Sequence, residues 1–100
     1  MAVKISEVEI YNSTDGICKE LDVNSGSSIT LTCYGTGSAE FMCSTDSGVT
    51  YFPRFMVRMS DANVSSILDE EGTYYTICGD CDKIKIDSVT GFDKIIATIG

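Results

Sequence analysis

The segment Ser66–Gly100 reads S-I-L-D-E-E-G-T-Y-Y-T-I-C-G-D-C-D-K-I-K-I-D-S-V-T-G-F-D-K-I-I-A-T-I-G. Its apolar residues recur at every second position, the spacing of a half-buried β-strand. Three strands follow from it: Thr73–Cys78, then 83–87 with Ile84 and Ile86 inward, then a last strand with Ile95, Ala97 and Ile99 on one face. D-E-E-G (Asp69–Gly72) and S-V-T-G-F-D (Ser88–Asp93) have turn composition, and C-G-D-C (Cys78–Cys81) has the form of a two-residue hairpin turn.

Upstream, the same reading applies. Ser28–Tyr34 alternates with Ile29, Leu31 and Cys33 inward, and 39–44 places Ala39, Phe41 and Cys43 on one face. Between Met1 and Tyr11 the apolar phase changes from Val3 and Ile5 to Val8 and Ile10, which predicts a β-bulge or bend. A weaker edge strand is expected over Ile17–Val23, and a short strand over Val64–Leu68. S-T-D-S-G (Ser44–Gly48) suits a loop in which Gly48 takes positive φ. The stretch V-T-Y-F-P-R-F-M-V-R-M (Val49–Met59) predicts a long aromatic edge strand, or one broken at Pro53, because proline donates no ladder hydrogen bond. No eleven-residue window carries a helical stripe. The expected fold is all-β: a single domain over residues 1–100, an antiparallel β-sandwich of seven to nine strands, immunoglobulin-like or jelly-roll-like. A small closed barrel is the alternative.

Composition narrows the function. One hundred residues at 43% hydrophobic content can build one modest core. A net charge of −8 with seven Lys and Arg argues against nucleic acid and anionic membranes, whose affinity comes from clustered positive charge. No secretory signal or transmembrane-length apolar run is read in the sequence, so synthesis in a reducing cytoplasm is expected. Histidine is absent, which removes the usual general base at neutral pH and the commonest metal ligand. Paired acids such as Asp69, Glu70 and Glu71 sit on a turn rather than across a cleft. The expectation is a protein that is not an enzyme and holds no cofactor.

Two features invite a site. Cys78 and Cys81 form a C-x-x-C that, with Cys33 and Cys43, would make a four-thiolate zinc set. Set against this, cysteine on an alternating apolar face behaves as a small hydrophobe, and no metal is assigned. The second feature is Val49–Met59, apolar on both faces and carrying Arg54 and Arg58 in an otherwise acidic chain. Such a strand asks for a covering partner, and aromatic and Arg side chains are enriched at protein interfaces. Tyr51, Phe52, Arg54, Phe55 and Arg58 are therefore the expected partner-binding residues.

Two resemblances follow. G-S-S-I-T-L-T-C (Gly26–Cys33) and D-E-E-G-T-Y-Y (Asp69–Tyr75) resemble strand B and the tyrosine corner of immunoglobulin domains. The chain departs from that family in having no tryptophan, and in placing Cys78 where the second cysteine would fall two residues earlier. Over 35–100, the order of Ser44, Asp46, Gly48, Thr50, Tyr51 and Pro53, then Gly72, Tyr74 and Gly79, then Ile84, Ile86 and Gly91, resembles the small β-sandwich domains of tailed-bacteriophage virion proteins. That resemblance implies a virion structural protein: a capsid decoration or auxiliary head protein, a head fibre or a tail module. It implies a capsid or other virion protein as partner and the virion as location, with a second copy of the chain as another cover for the apolar strand. A surface carbohydrate-binding module is the second expectation, and a zinc-stabilised small β domain the third.

Overall fold

In the computed structural model, which describes residues 6–24 and 26–100, two antiparallel sheets face each other. The described residues contain no helix. In chain order the strands are β1 (Ser6–Asn12), β2 (Ile17–Cys18), β3 (Leu21–Asp22), β4 (Ser27–Tyr34), β5 (Ser38–Ser44), β6 (Phe52–Pro53), β7 (Met56–Arg58), β8 (Val64–Ser65), β9 (Ile67–Leu68), β10 (Gly72–Cys78), β11 (Lys83–Thr90) and β12 (Lys94–Ile99). The larger sheet runs β2-β1-β12-β4-β10-β7-β8; the smaller runs β3-β11-β5-β6, with β9 also on β5. Val3 and Ile5, used in the expectations above, lie outside the described residues.

Alternation built the core as the sequence implied. Ile29, Leu31 and Cys33 from β4 point inward, as do Ala39, Phe41 and Cys43 from β5. Ile84 and Ile86 from β11 and Ile95 and Ala97 from β12 close the interior. Each such Ile or Phe contributes roughly 1.5–3 kcal/mol by leaving water. The phase change expected between Ile5 and Val8 falls partly outside the described residues; further along, the β1–β12 register slips in a bulge between Glu9 and Tyr11, and Ile10 is fully buried.

Three expected strand segments, the aromatic one with its allowed break at Pro53 among them, are each divided between the two sheets, which raises the count to twelve among the described residues. Segment 17–22 gives β2 to the larger sheet and β3 to the smaller. Segment 52–58 gives β6 to the smaller and β7 to the larger, and 64–68 splits in the opposite order, β8 to the larger and β9 to the smaller. The break in the aromatic stretch falls at Arg54 and Phe55, just after Pro53. Connections of one or two residues cannot travel around a sandwich, so β6 and β9 must share a flank with β7 and β8. Phe41 marks the handover along β5: its carbonyl accepts from Arg54 N at 3.0 Å and its amide donates to Ser66 O at 2.9 Å.

C-G-D-C is not a hairpin turn. β10 belongs to the larger sheet and β11 to the smaller, so the segment arches over the sandwich edge. Gly26 N donating to Cys78 O and Asp82 N donating to Ser44 O tie the arch to both sheets. The strand order also differs from the immunoglobulin arrangement, where strand B and the tyrosine-corner strand sit in opposite sheets. Here β4 and β10 are hydrogen-bonded neighbours from Gly72↔Cys33 to Cys78↔Ser27.

Candidate functional site

The segment 49–67 wraps one flank of the sandwich and carries most of the apolar surface left in water. Among the described residues, six of the nine exposed large hydrophobic ones fall there: Val49, Phe52, Phe55, Met59, Val64 and Ile67. Phe52 and Phe55 are 59% and 66% exposed, and they bracket the crossing from β6 to β7. The reason is local. A two-residue crossing between sheets leaves no opposite strand to receive these rings, while Met56, next in line, re-enters the core.

The other expected contact residues are engaged within the chain. Arg58 Nη2 meets Asp61 at 2.7 Å, and its Nη1 meets Asp69 at 2.9 Å and Glu70 at 3.5 Å. Asp61 sits in the 60–63 turn, where its Oδ1 also accepts from Asn63 N. The Arg58 guanidinium, then the Asn63 amide, hold the Asp61 carboxyl down to about 2. Arg58 thereby fastens two turns, 60–63 and 69–71, to the end of the larger sheet. Tyr51 donates from its hydroxyl to Glu20 Oε1 at 2.6 Å, and Lys85 Nζ lies 4.4 Å from its ring centre. Burial, and then the Glu20 contact, push the Tyr51 hydroxyl well above its ordinary range. Tyr51 thus anchors the loop that follows β5. That loop is stiffened by Asp46, which accepts from Thr50 N and Ser44 Oγ, and by Gly48 at φ 91°.

Arg54 links this flank to the interior. Its Nη2 is 2.6 Å from Asp80 Oδ1 and 3.2 Å from Cys81 Sγ. Beneath it, Cys43, Cys78 and Cys81 bring their sulfurs within 4.8 Å of one another, all three buried. Cys43 comes from β5, Cys78 from the end of β10 and Cys81 from the arch. Cys43 and Cys78 Sγ are 3.7 Å apart, a thiol contact rather than a bond. Either thiol can be the donor; the contact with Cys78, then burial, moves the Cys43 thiol up, and the contact with Cys43 moves the Cys78 thiol down. Burial moves Cys81 up.

Cys33 does not join them. Along the β4–β10 ladder Cys33 faces Gly72 while Cys78 faces Ser27, the two ends of the same strand pair. Six residues of strand set these ends about 20 Å apart. Cys33 is an apolar core residue whose thiol burial pushes up to about 12. The four-thiolate set expected from sequence is thus reduced to three. The sequence missed the Arg54–Asp80–Cys81 contact, which depends on two sheets converging, and missed Val49, Met59, Val64 and Ile67 as exposed positions. The signal for Val49 and Met59 was the two-faced apolarity of the aromatic stretch.

Tyr74 and Phe92 are core residues, not a ligand platform. A groove at the other side of the sandwich is lined by Val8, Leu21, Asp22, Val23, Asn24 and Ile99 and offers no ring for stacking. No helix among the described residues is long and apolar enough to cross a membrane.

Scans against protein families and against curated proteins return no match. Among solved structures, the crystal structure of SPBc2 prophage-derived protein YomS has a similar fold, with a TM-score of 0.79 over 99% of this chain and 96% of that one. Sequence identity is 13%. The all-β sandwich is therefore shared over its full extent.

Proposed function

We propose that this chain is a phage-encoded structural protein of the virion, a capsid decoration or auxiliary head protein that docks on the capsid surface without doing catalysis. The observation that carries the proposal is the flank formed by 49–67, where Phe52, Phe55, Met59 and their neighbours stand in water, gathered in one segment. Exposed aromatic anchors at a rigid edge are what protein recognition uses. Rigidity is supplied by Arg58, Arg54 and Tyr51, which act from below and beside the anchors. The likeness to a prophage-derived protein supports a phage source.

Charge defines the partner further. With a net charge of −8 and Asp61, Asp69 and Glu70 around the flank, the matching surface carries an apolar centre and a basic rim. Binding should then be faster at low ionic strength. The test is co-sedimentation of the purified chain with assembled phage shells, beside a glycan array and a measurement of mass in solution. Saturable shell binding that is lost in F52S/F55S supports the reading. Indifference to shells combined with glycan binding would place the same rings in a carbohydrate-binding module. A dimer that dissociates on F52S/F55S would make a second copy the partner.

A further inference from the structure

We propose that Cys43, Cys78 and Cys81 form a binding site for one thiophilic metal ion, zinc in the first instance, with Asp80 the nearest group for the fourth position. The site would exist whatever the flank binds.

Geometry carries it. A tetrahedral zinc ion with metal–sulfur bonds of about 2.3 Å spaces its sulfurs about 3.8 Å apart. Cys43 and Cys78 Sγ already stand at 3.7 Å, and all three sulfurs fall within 4.8 Å of one another. They converge from three places: a strand of each sheet and the arch between the sheets. Ordinary core packing has no need to gather three thiols at one point, and an ion there would fasten the two sheets at the end opposite Cys33. C-G-D-C supplies two ligands with the short spacing that zinc sites use, and Cys43 supplies a third at long range.

Charge and outer contacts agree. Three thiolates around zinc carry one net negative charge, and Arg54 brings a positive one, its Nη2 3.2 Å from Cys81 Sγ. Such N–H donation to a ligating sulfur is an outer-shell support of the kind metal sites use. Asp80 Oδ1 lies 3.8 Å from Cys81 Sγ and 2.6 Å from Arg54. Since Oδ1 makes both contacts, the carboxylate would have to turn to offer an oxygen to the ion while it keeps Arg54. Binding exchanges the three S–H protons for the ion and releases them to solvent.

The test uses the full chain, purified under reducing conditions and stripped of metal with a chelator. Cobalt(II) is titrated in as a spectroscopic probe, followed by zinc. The expected result is thiolate-to-cobalt charge-transfer absorption and tetrahedral d–d bands that saturate at one equivalent and vanish as zinc displaces cobalt. Zinc should raise the thermal midpoint and the chelator should reverse the rise. C33S and C18S should titrate as the parent does, while C43S, C78S and C81S should each lose charge-transfer intensity. Because a core cysteine variant can unfold, the parent spectrum alone decides. Folded, fully reduced protein without charge-transfer absorption at equimolar cobalt overturns the site. So does a disulfide joining two of the three cysteines in protein taken directly from cells.

Discussion

The Tyr74 hydroxyl donates to the Glu70 carbonyl and accepts from the Glu70 amide, both at 3.1 Å, closing the corner before β10. Tyr74 is 2% exposed, so the ring is core and only its hydroxyl addresses the turn. The corner in turn delivers Asp69 and Glu70 to Arg58, at the rim of the exposed flank. Tyr74→Phe should keep the ring and release the turn, costing about 1 kcal/mol. Urea unfolding should show a lower midpoint with an unchanged slope.

The flank and the core should respond oppositely to truncation. F52S/F55S removes two exposed rings and should leave stability within about 0.5 kcal/mol of the parent, while abolishing shell binding. Leu68→Ala, just past the flank segment but fully buried on β9, should cost about 2–5 kcal/mol. Denaturation curves measured beside sedimentation separate the two effects.

Glycines divide by what surrounds them. A Cβ on Gly37 would clash with the Thr90 carbonyl oxygen and stand 2.5 Å from the Phe92 nitrogen. Gly37→Ala must push apart the backbone that seats buried Phe92, and we expect a loss of about 3 kcal/mol or failure to fold. Gly16, at φ +68° with open space around it, should cost only the left-handed penalty of about 1–2 kcal/mol as alanine. Thermal midpoints of the two variants test the ordering.

Acid should act through Asp61. Its carboxyl is held down to about 2 in the folded chain by Arg58, then by Asn63 N, against roughly 4 when unfolded. A lowered folded value means that the contribution is complete above the unfolded value and is lost as pH falls through the folded one. The stability difference between the parent and D61N should therefore be constant above about pH 4 and shrink toward zero near pH 2. It should also narrow in high salt, because the pair is exposed.

Much of this molecule was settled by alternation alone. The inward faces of 29–33, 39–43, 84–86 and 95–97 and the corner at Tyr74 are all properties of a single strand and its nearest turn. Period two states which side of a strand is buried, and that does not change with the strand's neighbours. What alternation cannot state is the sheet a strand belongs to. A two-residue crossing at Arg54 and Phe55 looks the same in sequence as two more residues of strand. That is why Ile17–Val23 and Val64–Leu68 were each expected as one element and proved to be two, why the break allowed at Pro53 carried no sign of a change of sheet, and why C-G-D-C was expected to fold back within a sheet. Tertiary structure decided those memberships. By doing so it left Phe52 and Phe55 in water, sent Cys33 to one end of the β4–β10 ladder, and brought Cys43, Cys78 and Cys81 together at the other, because side chains distant in sequence meet only where two sheets close over the same interior.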